Sequence, residues 1–250
     1  MDFHINIKKK SFVNPHDKTS IDVLKNINIK IKSKEFVCIV GPSGCGKTTL
    51  MNIIGGLIDA EDQKLNTEEN DLKADGDFGY VFQTSRLLPW LTVKENIELV
   101  CEENEEYIER IEFLLSEFDL QEFKNYYPKS ISGGMRRKVS LARALIKKPQ
   151  ILLMDEPFVS LDQPTAESLY SVLINYWQKN PITIILITHN LKEAILLGDR
   201  IIFFSKRPAS VVYDHKIKSK TEGLSIDNIE IQKEYDQLRK KFPSLLKGLV

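Results

Sequence analysis

The sequence predicts an α/β fold with a mainly parallel core sheet, an N-terminal antiparallel β subdomain and a helical subdomain over about residues 84–148. Three observations carry this. Short and almost wholly apolar runs, Phe36-Val37-Cys38-Ile39-Val40, Ile151-Leu152-Leu153-Met154 and Ile182-Thr183-Ile184-Ile185-Leu186-Ile187, have the length and composition of buried parallel strands. Ahead of them Phe3, Ile5 and Ile7, and then Ile27, Ile29 and Ile31, alternate with polar residues as half-buried strands do. Between the first and second apolar runs the apolar period lengthens to that of helices.

The two alternating strands open the chain as an antiparallel layer. Residues 12–20 between them are polar and turn-rich, with Asn14-Pro15 as a turn. Phe12 stands in that stretch as an exposed aromatic, either tucked on the sheet or offered as a ring on which a base can stack.

The first apolar run leads into Gly41-Pro42-Ser43-Gly44-Cys45-Gly46-Lys47-Thr48-Thr49, and Leu50, Ile53, Ile54 and Leu57 follow at helical spacing. A glycine-rich turn between strand and helix is a phosphate-binding P-loop. Glycines let backbone N-H groups turn inward onto phosphate oxygens, and the new helix aims its unpaired amides at the same anion. Lys47 supplies a point charge for β- and γ-phosphates, and Thr48 a hydroxyl for Mg2+.

Residues 59–77 are acid-rich and show no strand or helix period, so a solvated connection is expected there, with no recognisable strand. Phe78-Gly79-Tyr80-Val81-Phe82 resumes as a strand ending at Gln83, followed by the apolar, proline-broken patch Leu87-Leu88-Pro89-Trp90-Leu91. From Lys94 to about Phe123 the pattern is helical, with Ile108, Ile111, Leu115 and Phe118 on one face and Glu102, Glu103, Glu105, Glu106 and Glu109 mostly on the solvated side. Ile131-Ser132-Gly133-Gly134 then opens a helix in which Met135, Val139, Ala142 and Ile146 share a face that Arg136, Arg137 and Lys138 do not. Ser132 is a good N-cap. The paired glycines behind it lower helix stability and leave amides free for a second anion.

The run from Ile151 ends in Asp155-Glu156-Pro157, carboxylates at the sheet edge where open α/β folds bind ligands. Adjacent residues on extended backbone point in opposite directions, so Asp155 can serve Mg2+ while Glu156 serves a water beside a γ-phosphate. The run from Ile182 ends at Thr188-His189, which puts His189 at the same edge as a γ-phosphate contact. A strand over residues 201–204 follows, and from Thr221 onward the pattern is that of a peripheral helix.

Composition narrows the function. Among 250 residues, Lys plus Arg and Asp plus Glu both total 35, so a net charge of zero offers no basic field for nucleic acid. Cys38, Cys45 and Cys101 include no C-x-x-C pair and suit a reducing compartment. The start, Met1-Asp2-Phe3-His4, lacks a basic and then apolar leader, and no stretch approaches about 18 consecutive apolar residues. A chain that neither spans a membrane nor carries a secretion signal is expected.

Taken in order, these motifs resemble the ATP-binding subunit of an ABC transporter over about residues 27–208. The glycine loop resembles Walker A, Gln83 the Q-loop glutamine, Ile131-Ser132-Gly133-Gly134-Met135 the signature loop and the strand ending at Glu156 Walker B. Ser160-Leu161-Asp162 resembles the D-loop, and His189 the switch histidine. Met135 replaces the usual signature glutamine and Ile131 a leucine, and the loop after Phe12 is longer than usual. The resemblance implies a P-loop NTPase of the ABC ATPase type over residues 1–213, with residues 214–250 as a peripheral extension. It also implies a head-to-tail pair of ATPase subunits, a homodimer, in which Ser132, Gly133, Gly134 and Asp162 serve the partner's nucleotide, and adenine stacking on Phe12. Mg2+ would be held by Thr48 and Gln83 directly and by Asp155 through water.

Val81-Phe82-Gln83, the patch through Trp90, Asp155-Glu156-Pro157-Phe158 and Arg207-Pro208 are similar to the nitrate, sulfonate, taurine and bicarbonate importers. That implies a peripheral subunit on the cytoplasmic face of the inner membrane, bound to an integral permease and indirectly served by an extracytoplasmic solute-binding protein. The alternative is a soluble ABC-type ATPase acting on nucleic acid or ribosomes, which would need tandem ATPase domains or a long heptad run and a basic face.

Overall fold

A computed structural model describes residues 2–67, 78–101, 105–217 and 225–243. They divide into two compact units, residues 1–75 with 183–250, and residues 76–182.

In the first unit, β1 (Phe3–Val13) lies between β2 (Ser20–Ile31) and β4 (Glu61–Thr67) in an antiparallel sheet. Ile5 faces Ile29 on one side and Leu65 on the other, and Ile7 faces Ile27, so the alternating isoleucines form one buried face. β4 corrects the expectation that no strand would appear between residues 59 and 77. It is a polar segment that pairs by backbone bonds, which side-chain periodicity does not report. The part of that expectation over residues 68–77 lies outside the described residues, as do Glu102, Glu103 and residues 221–224.

The same unit holds β7 (Thr183–Ile187), β3 (Phe36–Val40) and β8 (Arg200–Phe204) in parallel, with β9 (Val211–Lys216) added antiparallel to β8. Every residue of β3 and β7 is buried, as the unbroken apolar runs require. Among the described residues the unit's helices are α1 (Lys47–Ile54) after β3, α6 (Leu191–Leu197) after β7, and α7 (Ile229–Lys241), which buries Ile231 and Leu238. α1 stops at Gly55, so Leu57 falls beyond it and is exposed rather than on the helix face. Residue 214, where the extension was expected to begin, lies inside β9.

In the second unit, β5 (Phe78–Val81) pairs in parallel with β6 (Ile151–Asp155). Its helices are α2 (Val93–Glu98), α3 (Glu105–Glu117), α4 (Gly133–Leu145) and α5 (Gln163–Lys179). The single long helix expected from Lys94 is therefore divided. On α3 the buried residues are Ile111, Leu114 and Leu115, whereas Ile108 is exposed, because the helix turns a face one step away from the one its first isoleucine suggested. Gly79 lets β5 approach α4: a Cβ there would stand 2.3 Å from the Ala144 carbonyl oxygen.

Candidate nucleotide-binding site

β3 delivers the chain into the glycine loop. Gly46 has φ +127° and a Cβ on it would lie 2.8 Å from Val23 Cγ1, so both the conformation and the space demand glycine. α1 begins at the next residue. Lys47 is 5% exposed, and its ammonium donates to the carbonyl oxygens of Gly41 at 2.7 Å and Pro42 at 3.1 Å. A buried lysine held by neutral carbonyls alone is a cation kept within a concave backbone, which is the electrostatics an anion site needs. Pro42 and Thr49 are half-buried, while Ser43, Gly44 and Thr48 are exposed, and the Thr48 hydroxyl sits in the first helical turn. Burial pushes the Cys45 thiol up, so Cys45 is a packed neutral group under the loop and not a nucleophile. These groups fit a polyphosphate: a glycine-bearing loop, a buried ammonium and a hydroxyl.

The structure adds Arg207, whose Nη2 donates to the Gly44 carbonyl at 2.6 Å. The bond fixes the loop's most exposed turn and brings a second cation to it. Sequence reading placed Arg207 only within a family pattern, because nothing in its spacing from the loop signals contact.

Also in the first unit, β7 ends at Ile187 and is followed by the buried Thr188 and the exposed His189. The flanking residues are pinned. Thr188 Oγ1 donates to the buried Glu193 carboxylate at 2.6 Å and accepts from Asn190 N at 3.0 Å, while Asn190 caps α6 through Lys192 N and Glu193 N. Phe12 belongs to β1 and not to the loop expected there, since the strand runs on to Val13. Its ring is 45% exposed, opposite Ile21, with Lys10 Nζ 5.0 Å from its centre.

In the second unit, Asp155 ends β6 at 5% exposure and Glu156 follows with φ +44°. The expectation of two acids on extended backbone is corrected: the chain turns left-handed at Glu156. Burial, with the Asp155 carboxylate adding to it, holds the Tyr80 hydroxyl well above its usual range. Gln83 Nε2 donates to Glu156 Oε2 at 3.4 Å, so the structure brings together the glutamine and glutamate that the sequence had only aligned.

Ser132 caps α4 as expected, accepting from Met135 N at 3.1 Å. Gly134 is required by packing, since a Cβ there would lie 2.5 Å from Thr165 Cγ2 on α5. The Thr165 side chain also bonds Asp162, lowering that carboxyl's pKa, so Gly134 and Asp162 meet through one threonine. Arg137, expected only to lie off the apolar face, is buried. It is 7% exposed and donates to the carbonyl oxygens of Phe82 at 2.8 Å and Gln83 at 2.6 Å, because a long side chain reaches an irregular neighbouring segment whatever the polarity of its own position.

Beyond Gln83 the chain presents Trp90, which is 68% exposed, with Leu87 and Leu88 half-buried. Asn96 anchors this loop. Fully buried on α2, it accepts from Leu88 N and donates to the carbonyls of Leu88, Leu91 and Thr92 at 2.8–3.1 Å. The signal that could have found it is the spacing of the capping box formed by Thr92 and Glu95, directly ahead of Asn96.

The family model described as ABC transporter matches residues 24–159. The aliphatic sulfonates import ATP-binding protein SsuB of Bacillus anthracis is 39% identical over 224 residues, 89% of this chain and 87% of that protein. The nitrate import ATP-binding protein NrtD of Synechocystis sp. is 35% identical over 255 residues, covering 98% and 96%. A dimeric post-hydrolysis structure of the ATP-binding cassette MJ0796 with ADP and Pi superposes with a TM-score of 0.74 at 31% identity, over 87% of this chain and 99% of that one.

Proposed function

This chain belongs to the ABC transporter family, and from that premise we propose that it is the ATP-hydrolysing subunit of an importer for small oxyanionic solutes such as nitrate or sulfonates. The observation that carries the ATPase reading is the buried Lys47 ammonium within the glycine loop. The solute class rests on the similarity to sulfonate and nitrate import subunits.

ATP lies with its phosphates along Gly41, Pro42, Ser43, Gly44, Cys45, Gly46, Lys47, Thr48 and Thr49, and its base against Phe12. Glu156 is the general base. It takes a proton from a water as that oxygen attacks the γ-phosphorus in line, the bond from phosphorus to the bridging oxygen breaks, and ADP leaves with the electron pair. Lys47 and His189 offset charge on the γ-phosphoryl oxygens, and Gln83, bonded to Glu156, aligns the water with the base. Thr48, Gln83 and, through water, Asp155 would hold Mg2+, which would supply neutralisation of phosphate charge.

Ser132, Gly133, Gly134 and Asp162 act on the nucleotide of a second ATPase subunit. The permease docks on Trp90 and its neighbours, which places the chain on the cytoplasmic face of the membrane, with an extracytoplasmic solute-binding protein acting through the permease. Among the described residues no helix is long and apolar enough to cross a membrane. The test is to express the tagged chain with its permease in a strain lacking its own uptake system. Solute-dependent ATP hydrolysis with nitrate or an alkanesulfonate supports the proposal, and hydrolysis indifferent to both overturns the solute class.

A further inference from the structure

We propose that Arg137 and Arg143 are positioning residues that join the segment carrying Gln83 to the helix capped by Ser132, so that nucleotide engaging one orders the other. The proposal rests on the ATPase reading above.

Residues 82–86 form no helix or strand, so their carbonyls lack the ladder partners that regular structure would give them. α4 supplies partners instead. Arg137 bridges the carbonyls of Phe82 and Gln83 at 2.8 and 2.6 Å, and Arg143 those of Ser85 and Arg86 at 2.9 and 3.0 Å. Each planar guanidinium thus spans two oxygens of the segment with a rigid fork, whose fixed geometry the rotatable point charge of an ammonium does not reproduce. Arg86 closes the segment on itself, its guanidinium 3.7 Å from the centre of the Phe82 ring.

The arrangement is expensive for folding alone. Burial lowers the pKa of both arginines with no opposing carboxylate contribution, so two cations are desolvated against neutral oxygens. Apolar side chains would pack the same place at lower cost, but they would leave the carbonyls unpaired and the segment free to slide. What the arginines add is a fixed geometry between two nucleotide-sensing places. Arg137 stands only a few residues beyond Ser132 and Gly134, while Gln83 itself bonds Glu156.

Hydrogen-deuterium exchange on the full-length chain, with and without AMP-PNP and Mg2+, tests this. In the wild type the nucleotide should slow exchange in residues 84–91 and 133–140 together. Arg143→Met keeps the aliphatic stem and removes the fork. It should bind AMP-PNP within about threefold of wild type and still protect residues 133–140, while residues 84–91 exchange roughly tenfold faster and lose their nucleotide-dependent slowing. Arg143→Lys, which keeps stem and charge, should fall between and serves the same test if the methionine variant is unstable. Undiminished nucleotide-dependent slowing of residues 84–91 in these variants would overturn the inference, because a purely structural role speeds exchange equally with and without nucleotide. A wild type that does not bind AMP-PNP would overturn the ATPase reading and this inference with it.

Discussion

Glu156 combines the features of a general base with those of a backbone device. At φ +44° it occupies a conformation that non-glycine residues adopt rarely, and the turn takes its carboxylate out of the sheet while Asp155 stays buried at the strand end. Glu156→Gln keeps the volume and can keep an acceptor for Gln83 Nε2, but it cannot take a proton. ATP hydrolysis should therefore fall by about a hundredfold or more with ATP affinity nearly unchanged. Turnover near wild type in a steady-state phosphate-release assay would remove Glu156 from the role. Lys47→Ala should instead weaken ATP binding itself. Arg207→Ala should do so more mildly, by roughly tenfold in calorimetric titration, since it removes one charge-assisted bond to the Gly44 carbonyl and one nearby cation. Unchanged affinity in Arg207→Ala would limit that residue to shaping the β8–β9 connection.

At the scale of elements, the presentation of Trp90 follows from α2. Asn96 ties the backbone of Leu88, Leu91 and Thr92 to the helix, the capping box of Thr92 and Glu95 fixes where the helix starts, and the indole is left in solvent. Trp90→Asp should leave the melting temperature and basal ATPase of the isolated subunit close to wild type, since exposed substitutions shift stability by only about 0.5 kcal/mol. It should lose the permease on co-purification, as removal of a large aromatic anchor does at an interface centre. Loss of folding would show that the ring packs within the subunit, and full assembly would exclude docking at Trp90. The elements legible in the sequence are those whose signal is local. The glycine loop shows because strand, glycines and helix adjoin in the chain, and Ser132 shows because capping is a short-range bond. β4 and β9 were missed because their pairing is written in backbone bonds and their residues, such as Glu61, Lys64, Asp214 and Lys216, are polar. Periodicity placed Arg137 off the apolar face but could not show its burial, because its partners lie some fifty-five residues earlier in the chain.

For the whole molecule, the second anion-binding helix start has to be explained. Ser132 offers an exposed hydroxyl at an N-cap and Gly134 is pressed against Thr165, while on the proposed reading the glycine loop holds the phosphates of the chain's own ATP. The proposal that a second subunit supplies the nucleotide this helix start meets draws support from similarity to a dimeric cassette structure. ATP and Mg2+ should then drive the Glu156→Gln chain from monomer to dimer, because nucleotide persists there instead of being consumed. Ser132→Arg in the same background should bind ATP normally through its intact glycine loop and remain monomeric, at the cost of a lost cap of about 1 kcal/mol. Gly134 is the poorer site to change, since a side chain there would clash with α5 and confuse folding with assembly. Light scattering at saturating ATP separates the outcomes. A monomer in both variants makes homodimerisation wrong and points to a different ATPase partner, a dimer in both takes Ser132 out of the interface, and a dimer lost only with Ser132→Arg places the signature helix on the partner's nucleotide.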